Sequence, residues 1–296
     1  MRRLIVTLAA LLASAVLAQG TVGLSLSTLN NPFFVTLRDG AQAAADEAGV
    51  DLLVTDAQDS VSTQVSDIED LIVRGVDVLI INATDSAAVV PAVMQANAAG
   101  IPVIAVDRGI DGGRLAYYVA SDNAAGGQAA AAFICDRLGG TGDVVELEGI
   151  PGTTAARARG AGFNAYLSES CTDLRVVARQ TANFNRAEGL SVMENILVAQ
   201  PEIDAVFAHN DEMALGALQA IQASGRDILV VGFDATDDAR AAVERCEMAA
   251  TVAQLPDELG ATSVELAADL VAGEPVPAEV VDVAVPLELV TNPACD

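Results

Sequence analysis

Apolar residues fall along this chain in two alternating rhythms. Short β-branched runs recur at 22–26, 51–55, 76–81, 101–106, 143–147, 174–179, 203–208, 227–232 and 249–253. Between them lie longer stretches, 39–48, 61–73, 87–99, 124–138 and 186–199, in which apolar residues return every three or four positions. The first rhythm predicts buried strands and the second amphipathic helices. Strand–helix alternation at this spacing predicts βαβ units, hence an α/β fold of parallel sheets covered by helices. Near-continuous apolar runs such as Val78-Leu79-Ile80-Ile81 suit strands buried on both faces.

The units form two series that break near Ser121. A chain of 296 residues exceeds what one core usually organises, so two lobes are expected. A further helical pattern at 256–272 and two short extended runs follow the second series. If that late helix belongs with the first series, the chain crosses between lobes more than once and builds a hinge. The expected partition is 19–121 with 255–283 for the N-terminal lobe, and 122–254 with 284–296 for the C-terminal lobe. Residues 1–18 stand apart: Arg2 and Arg3 precede an apolar run at 4–17, and Val16-Leu17-Ala18 offers small or modest residues for cleavage. That pattern predicts a secretory signal peptide removed near Ala18 and a periplasmic product. No Cys follows the cleavage point, so a lipid anchor is not expected.

Charge narrows the partners. With 41 acidic against 15 basic residues, a formal charge of −26 argues against nucleic acid and anionic membranes. Every basic residue is Arg, which excludes a lysine Schiff base, a Walker-type phosphate loop and a Ser-Lys dyad. His209 is the sole histidine, leaving little for a Ser-His-Asp triad and nothing for a His-rich metal site. No metal and no cofactor is expected. Four cysteines, Cys135, Cys171, Cys246 and Cys295, show no CxxC spacing, and in an exported chain they predict disulfides. Of the three pairings, Cys135 with Cys171 and Cys246 with Cys295 is preferred, because each pair then falls at neighbouring element ends.

Candidate chemistry concentrates where predicted strands end, the edge at which open parallel sheets bind ligands. Ser27-Thr28-Leu29-Asn30-Asn31-Pro32-Phe33-Phe34 puts amides beside two aromatic rings after the first strand. Alone it reads equally as a packed helix start or as half of a site for a sugar, whose flat C–H faces and hydroxyl rim suit rings and amides. Asp107-Arg108 follow another strand; a carboxylate there can accept from hydroxyls and a guanidinium can donate to them. The stretch 149–160 is Gly- and Thr-rich but lacks the spacing of a phosphate loop. In it Arg157 and Arg159 point different ways on a helix, so one can reach the cleft while the other makes a salt bridge. Asn210 can serve adjacent hydroxyls, Asp211 is the expected N-cap of the next helix, and His209 has no nucleophile beside it. Phe184 stands at a helix entrance, Phe233-Asp234 ends a strand, and Gln254 follows the last strand of the second series.

Taken together, Asn30-Asn31-Pro32-Phe33-Phe34, Asp107-Arg108, the stretches 152–160 and 210–216, and Gln254 resemble the type I periplasmic sugar-binding proteins in their D-ribose-binding branch. That family is related in fold to the ligand-binding core of LacI-type repressors. The resemblance spans essentially the whole chain after the leader. It implies two Rossmann-like lobes joined by a three-crossing hinge, a monosaccharide between them (D-ribose first), and no catalytic residue. It implies delivery to the permease of an ABC transporter, a monomeric state, and a chemoreceptor as a further partner. The implied ligand residues are Asn31, Phe33, Phe34, Asp107 and Arg108 from the first lobe. Arg159, Phe184, Asn210, Phe233 and Asp234 come from the second, with Gln254 at a crossing. Asn31 would donate to the sugar, with Phe33 and Phe34 as a stacking wall. The cysteines, the lack of Lys and the tail at 291–296 depart from the family. Other readings are the same role for allose, xylose or galactofuranose; a LacI-type regulator, which needs a helix-turn-helix where this chain has only its leader; and a sugar-modifying enzyme with Asp107 and Asp234 as acid and base.

Overall fold

The computed structural model describes residues 20–295, so the signal peptide expected at 1–18 and its cleavage point lie outside the described residues. Two sheets organise the chain. The first contains β1 (Thr21–Leu26), β2 (Asp51–Asp56), β3 (Val78–Ile81), β4 (Val103–Val106), β5 (Tyr117–Ser121) and β11 (Val281–Val285), in the order β11-β5-β4-β3-β1-β2. The second contains β6 (Thr141–Glu148), β7 (Asp173–Thr181), β8 (Ala205–Ala208), β9 (Leu229–Asp234), β10 (Ala250–Ala253) and β12 (Glu288–Thr291), in the order β12-β10-β9-β8-β6-β7. All pairs in the first sheet are parallel, and in the second only β12 runs antiparallel, against β10. The same strand order occurs twice, so each sheet has a switch point beside its first strand, where ligands of such sheets settle.

Helices α1 (Pro32–Ala48), α2 (Val61–Val73), α3 (Val90–Ala98) and α9 (Pro256–Val271) cover the first sheet. Helices α4 (Asn123–Arg137), α5 (Thr154–Ser170), α6 (Arg186–Ala199), α7 (Asp211–Ser224) and α8 (Asp237–Glu244) cover the second. The chain therefore passes between the lobes three times: after β5, after β10 and between β11 and β12. Strands β3, β4, β8 and β10 are buried along their whole length, as double-sided coverage requires.

Two local readings change. Helix α1 starts at Pro32, ahead of its clear periodicity, because the Asn31 side chain accepts from the Phe33 N–H and Pro32 has no N–H to leave unpaired. Strand β5 was not marked by an apolar run; its Tyr117 and Tyr118 are only half-buried.

Helix pairs α1/α9, α4/α5 and α6/α7 touch backbone to backbone. A Cβ on Gly260 would lie 2.0 Å from the Leu37 carbonyl oxygen, one on Gly127 2.1 Å from that of Arg159, and one on Gly216 2.1 Å from that of Arg186. Small residues at these crossings hold the helix starts in place over the cleft. Cys135 is bonded to Cys171, joining α4 to the end of α5, and Cys246 to Cys295, joining the turn after α8 to the tail. Both are the pairs preferred from the sequence.

Candidate functional site

The first lobe contributes a rigid polar corner. Beyond β3, the buried Asn82 amide accepts from Ser27 Oγ (2.7 Å) and donates to Asp107 Oδ2 (3.1 Å), so the ends of three strands share one side chain. Asp107 has a φ of 60° at the centre of a three-residue turn, closed by Arg108 N–H donating to the Val106 carbonyl at 2.6 Å. That turn aims consecutive charged residues away from β4. Arg108 Nη1 donates to the Ala83 carbonyl, and its guanidinium lies 5.0 Å from the Phe34 ring centroid and 5.2 Å from that of Phe184 on the opposite lobe. Phe33 and Phe34 pack edge to face at 5.2 Å in the first turn of α1.

The second lobe answers with Arg159, on the second turn of α5. Its Nε donates to Asn123 Oδ1 (2.8 Å), and its Nη1 donates to the His209 carbonyl (2.6 Å) while lying 3.5 Å from Asp234 Oδ1. The guanidinium rests 3.8 Å from the centre of the Phe233 ring. Asp234 Oδ1 also accepts from Gln254 Nε2 at 2.9 Å, tying β9 to the crossing after β10. Asn210 caps α7 through Oδ1 and donates from Nδ2 to the Phe184 carbonyl. Three site residues that are not glycine, Asp107, Phe184 and Asp234, hold left-handed φ values of 60°, 58° and 116°. Such conformations cost about 1–3 kcal/mol each and collect where a site demands them.

These residues close around a narrow space of about 10 Å3. Of the eleven residues implied from the sequence, ten border it; Phe233 does not. Phe233 is fully buried beneath Arg159, so it supports the guanidinium and offers no face to the space. Ala155 borders the space although nothing in its chemistry marked it. Asn82 and Asn123 also orient charged groups, and the sequence signal for Asn82 is its place directly after an apolar run.

The electrostatics are those of a desolvated cluster. Asp107, Arg108, Arg159 and Asp234 are each at most 5% exposed. Burial raises Asp107 above the usual carboxylate range, against the pull of Arg108, Arg159 and Asn82. Burial also raises Asp234, well above that range; Arg159 opposes the rise and Asp211 adds to it. Burial lowers Arg108, against Asp107. Two buried acceptors in the cluster, Asp107 Oδ1 and Gln254 Oε1, have no protein hydrogen-bond partner. Buried acceptors are almost always paired, so these two stand out as open positions in the cluster.

Around the space the lobes meet directly. Ser86 N–H donates to the Gly152 carbonyl at 2.9 Å, Gly109 N–H to Thr154 Oγ1 at 2.7 Å, and Arg157 to Asp111 at 3.0 Å. Arg157 is thus the partner that forms a salt bridge and Arg159 the one that enters the cleft. Asp211 is not the N-cap of α7; Asn210 takes that place, and Asp211 turns inward, fully buried. His209 is held on both ring nitrogens: Nδ1 accepts from Gly149 N–H, and Nε2 donates to Glu146 at 3.0 Å. Burial acts to raise Glu146, but hydrogen bonds from His209, Asn164 and Arg179 bring it below the usual range and keep it an acceptor.

Known proteins share this architecture. Residues 22–275 match the model of the periplasmic binding protein domain. The ribose import binding protein RbsB of Bacillus subtilis (strain 168) is 52% identical, over 86% of this chain and 83% of its own. An ABC transporter periplasmic solute-binding protein from Actinobacillus succinogenes 130z, solved with bound D-allose, superposes with a TM-score of 0.85 at 33% identity, over 92% of this chain and 98% of its own. The Caulobacter myo-inositol binding protein, bound to myo-inositol, gives 0.86 at 35% identity, over 92% and 93%. With two α/β lobes, three crossings and this match over most of its length, the chain belongs to the periplasmic binding protein domain family.

Proposed function

We propose that this protein is the periplasmic solute-binding component of an ABC-type sugar importer, holding one monosaccharide, D-ribose before others, between its lobes. The observation that carries the reading is the pair of buried acceptors without protein partners, Asp107 Oδ1 and Gln254 Oε1, between arginine donors and phenylalanine faces. A polyol ring supplies what that set lacks: hydroxyl donors for Asp107 Oδ1 and Gln254 Oε1, oxygens for Arg108 and Arg159, and C–H faces for Phe33, Phe34 and Phe184. The likeness to a ribose import binding protein at 52% identity supports ribose over the allose and inositol held by the more distant neighbours.

The mechanism is binding without turnover. The N-terminal lobe (19–121 with 255–283) supplies one half of the ligand set and the C-terminal lobe (122–254 with 284–296) the other. Ligand therefore favours the closed form by its differential affinity, and the permease reads that form. The protein acts as a monomer after removal of residues 1–18, and a chemoreceptor is a second reader of the closed state. Calorimetry against ribose, allose, xylose, galactofuranose and myo-inositol, with recovery of the sugar afterwards, tests the reading. Tight binding of ribose and its return unchanged are expected. Preference for another sugar moves the assignment to that sugar, and chemical conversion overturns the binding role.

A further inference from the structure

Asp211 does not border the cavity, and neither do Thr236 and Thr251, the residues it bonds, yet the three adjoin the strand ends that supply cavity residues. Its Oδ1 accepts from Thr251 Oγ1 at 2.7 Å, and its Oδ2 accepts from Thr236 N–H at 2.7 Å and from Thr236 Oγ1 at 3.2 Å. Thr251 Oγ1 in turn accepts from Ala235 N–H at 3.1 Å. Both backbone N–H groups that follow Asp234 are therefore secured, directly or through one hydroxyl, by a single carboxylate. This is the segment in which Asp234 and Ala235 adopt consecutive left-handed φ values, 116° and 54°, that turn Asp234 toward Arg159 and Gln254.

The surroundings are shaped for that carboxylate. A Cβ on Gly232 would lie 2.3 Å from Asp211 Oδ1, so β9 leaves room for it at that position. Thr236 stands at the N-cap of α8 but makes no capping bond, its hydroxyl being turned to Asp211. Asp211 adjoins Asn210, and Thr251 lies on the strand that leads to Gln254. One buried side chain thus joins the ends of β8, β9 and β10, each of which delivers a cavity residue.

We propose that Asp211 is a positioning residue that holds Asp234 in its left-handed conformation and thereby sets sugar affinity without contacting the sugar. The proposal rests on the cleft being the sugar site.

The test is a double-mutant cycle read by calorimetry with ribose above neutral pH, where the Asp211 carboxylate carries no proton, on folded protein verified by circular dichroism. Asp211→Asn puts an N–H against one of the donors it must accept, so affinity is expected to fall about tenfold or more. In an Asp234→Ala background the same change is expected to cost little further affinity, because the residue it positions is gone; a merely structural role makes the two losses multiply. Thr251→Val, which removes the hydroxyl relay while keeping shape, is the second probe, and Thr251→Ser is expected to retain affinity far better. Wild-type affinity in Asp211→Asn, or fully multiplicative losses, overturns the proposal alone. If Asp211→Asn does not fold, equal affinities of Thr251→Val and Thr251→Ser overturn it. A wild-type protein that binds no monosaccharide overturns the reading of the site and this proposal with it.

Discussion

Arg157 and Asp111 meet across the gap between the lobes, with Nη2 of the arginine 3.0 Å from both carboxylate oxygens. The pair lies outside the narrow space between the lobes and exists only when α5 approaches the loop between β4 and β5. Both side chains are nearly half exposed, so solvent screens the contact and its contribution is about 0.2–1 kcal/mol. Arg157→Ala is expected to weaken ribose binding by about two- to fivefold, through faster release, with the difference shrinking in high salt. Stopped-flow release measured at low and high ionic strength checks this. A loss of a hundredfold would mean that Arg157 reaches the ligand itself.

Arg159 is the opposite case. It is 3% exposed and engages Asn123, His209 and Asp234 at once. Arg159→Ala leaves Asp234 buried beside Asp211 without its counter-charge, a type of loss that costs roughly 3–5 kcal/mol. Folding stability should fall by that order, and ribose affinity should fall about tenfold or more because a charged donor bordering the cavity is lost. Arg159→Lys should recover little, because an ammonium cannot serve Asn123 and His209 through one planar fork. Calorimetry on both variants decides; recovery by Lys would reduce the role of Arg159 to charge alone.

The fold was legible where burial is two-sided. Val78–Ile81 and Val103–Val106 announce themselves because helices cover both faces. Strand β5 hides because its first two residues, Tyr117 and Tyr118, are only half-buried and leave a short apolar stretch at 119–120. The narrow space between the lobes was largely legible because its polar residues sit directly at strand ends. What failed depends on tertiary geometry. Asn210 and Asp211 are both capping types in adjacent positions, and only the pull of Thr236 and Thr251 decides that Asp211 turns inward. The resemblance implied Phe233 as a ligand residue, but its ring lies against Gly126, under Arg159. Ala155 carries no polar atom that could have marked it.

Asp211 also predicts a pH dependence. Burial raises its pKa from 3.8 to about 7, against the hydrogen bonds from Thr251 and Thr236. Between those values the folded protein keeps a proton that the unfolded chain has released. Stability from this group therefore falls as pH rises from about 4 to about 7, and levels off above that. Asp211→Asn has no such proton to lose. Thermal unfolding of the two proteins from pH 4.5 to 8.5 should show the wild type losing ground to the variant up to neutrality, then running parallel. A constant difference across that range would show that Asp211 does not titrate there.

Helix crossings give a final contrast. Alanine at Gly127 or Gly260 places a methyl about 2 Å from a backbone carbonyl oxygen, so in each case two helices must separate. Overpacking of this kind costs about 1–3 kcal/mol, and both variants should unfold at lower denaturant concentration. Their ligand affinities should differ. The carbonyl facing Gly127 belongs to Arg159, whose guanidinium depends on Asn123 of α4 and on directional bonds to His209. Parting α4 from α5 stretches those bonds. The carbonyl facing Gly260 belongs to Leu37 on α1, the helix that presents Phe33 and Phe34, and ring contacts tolerate small shifts better than hydrogen bonds do. Gly127→Ala should therefore lose about tenfold more ribose affinity than Gly260→Ala, measured by calorimetry at a temperature where both are folded. Equal losses would mean that helix separation acts on lobe closure as a whole and not through Arg159.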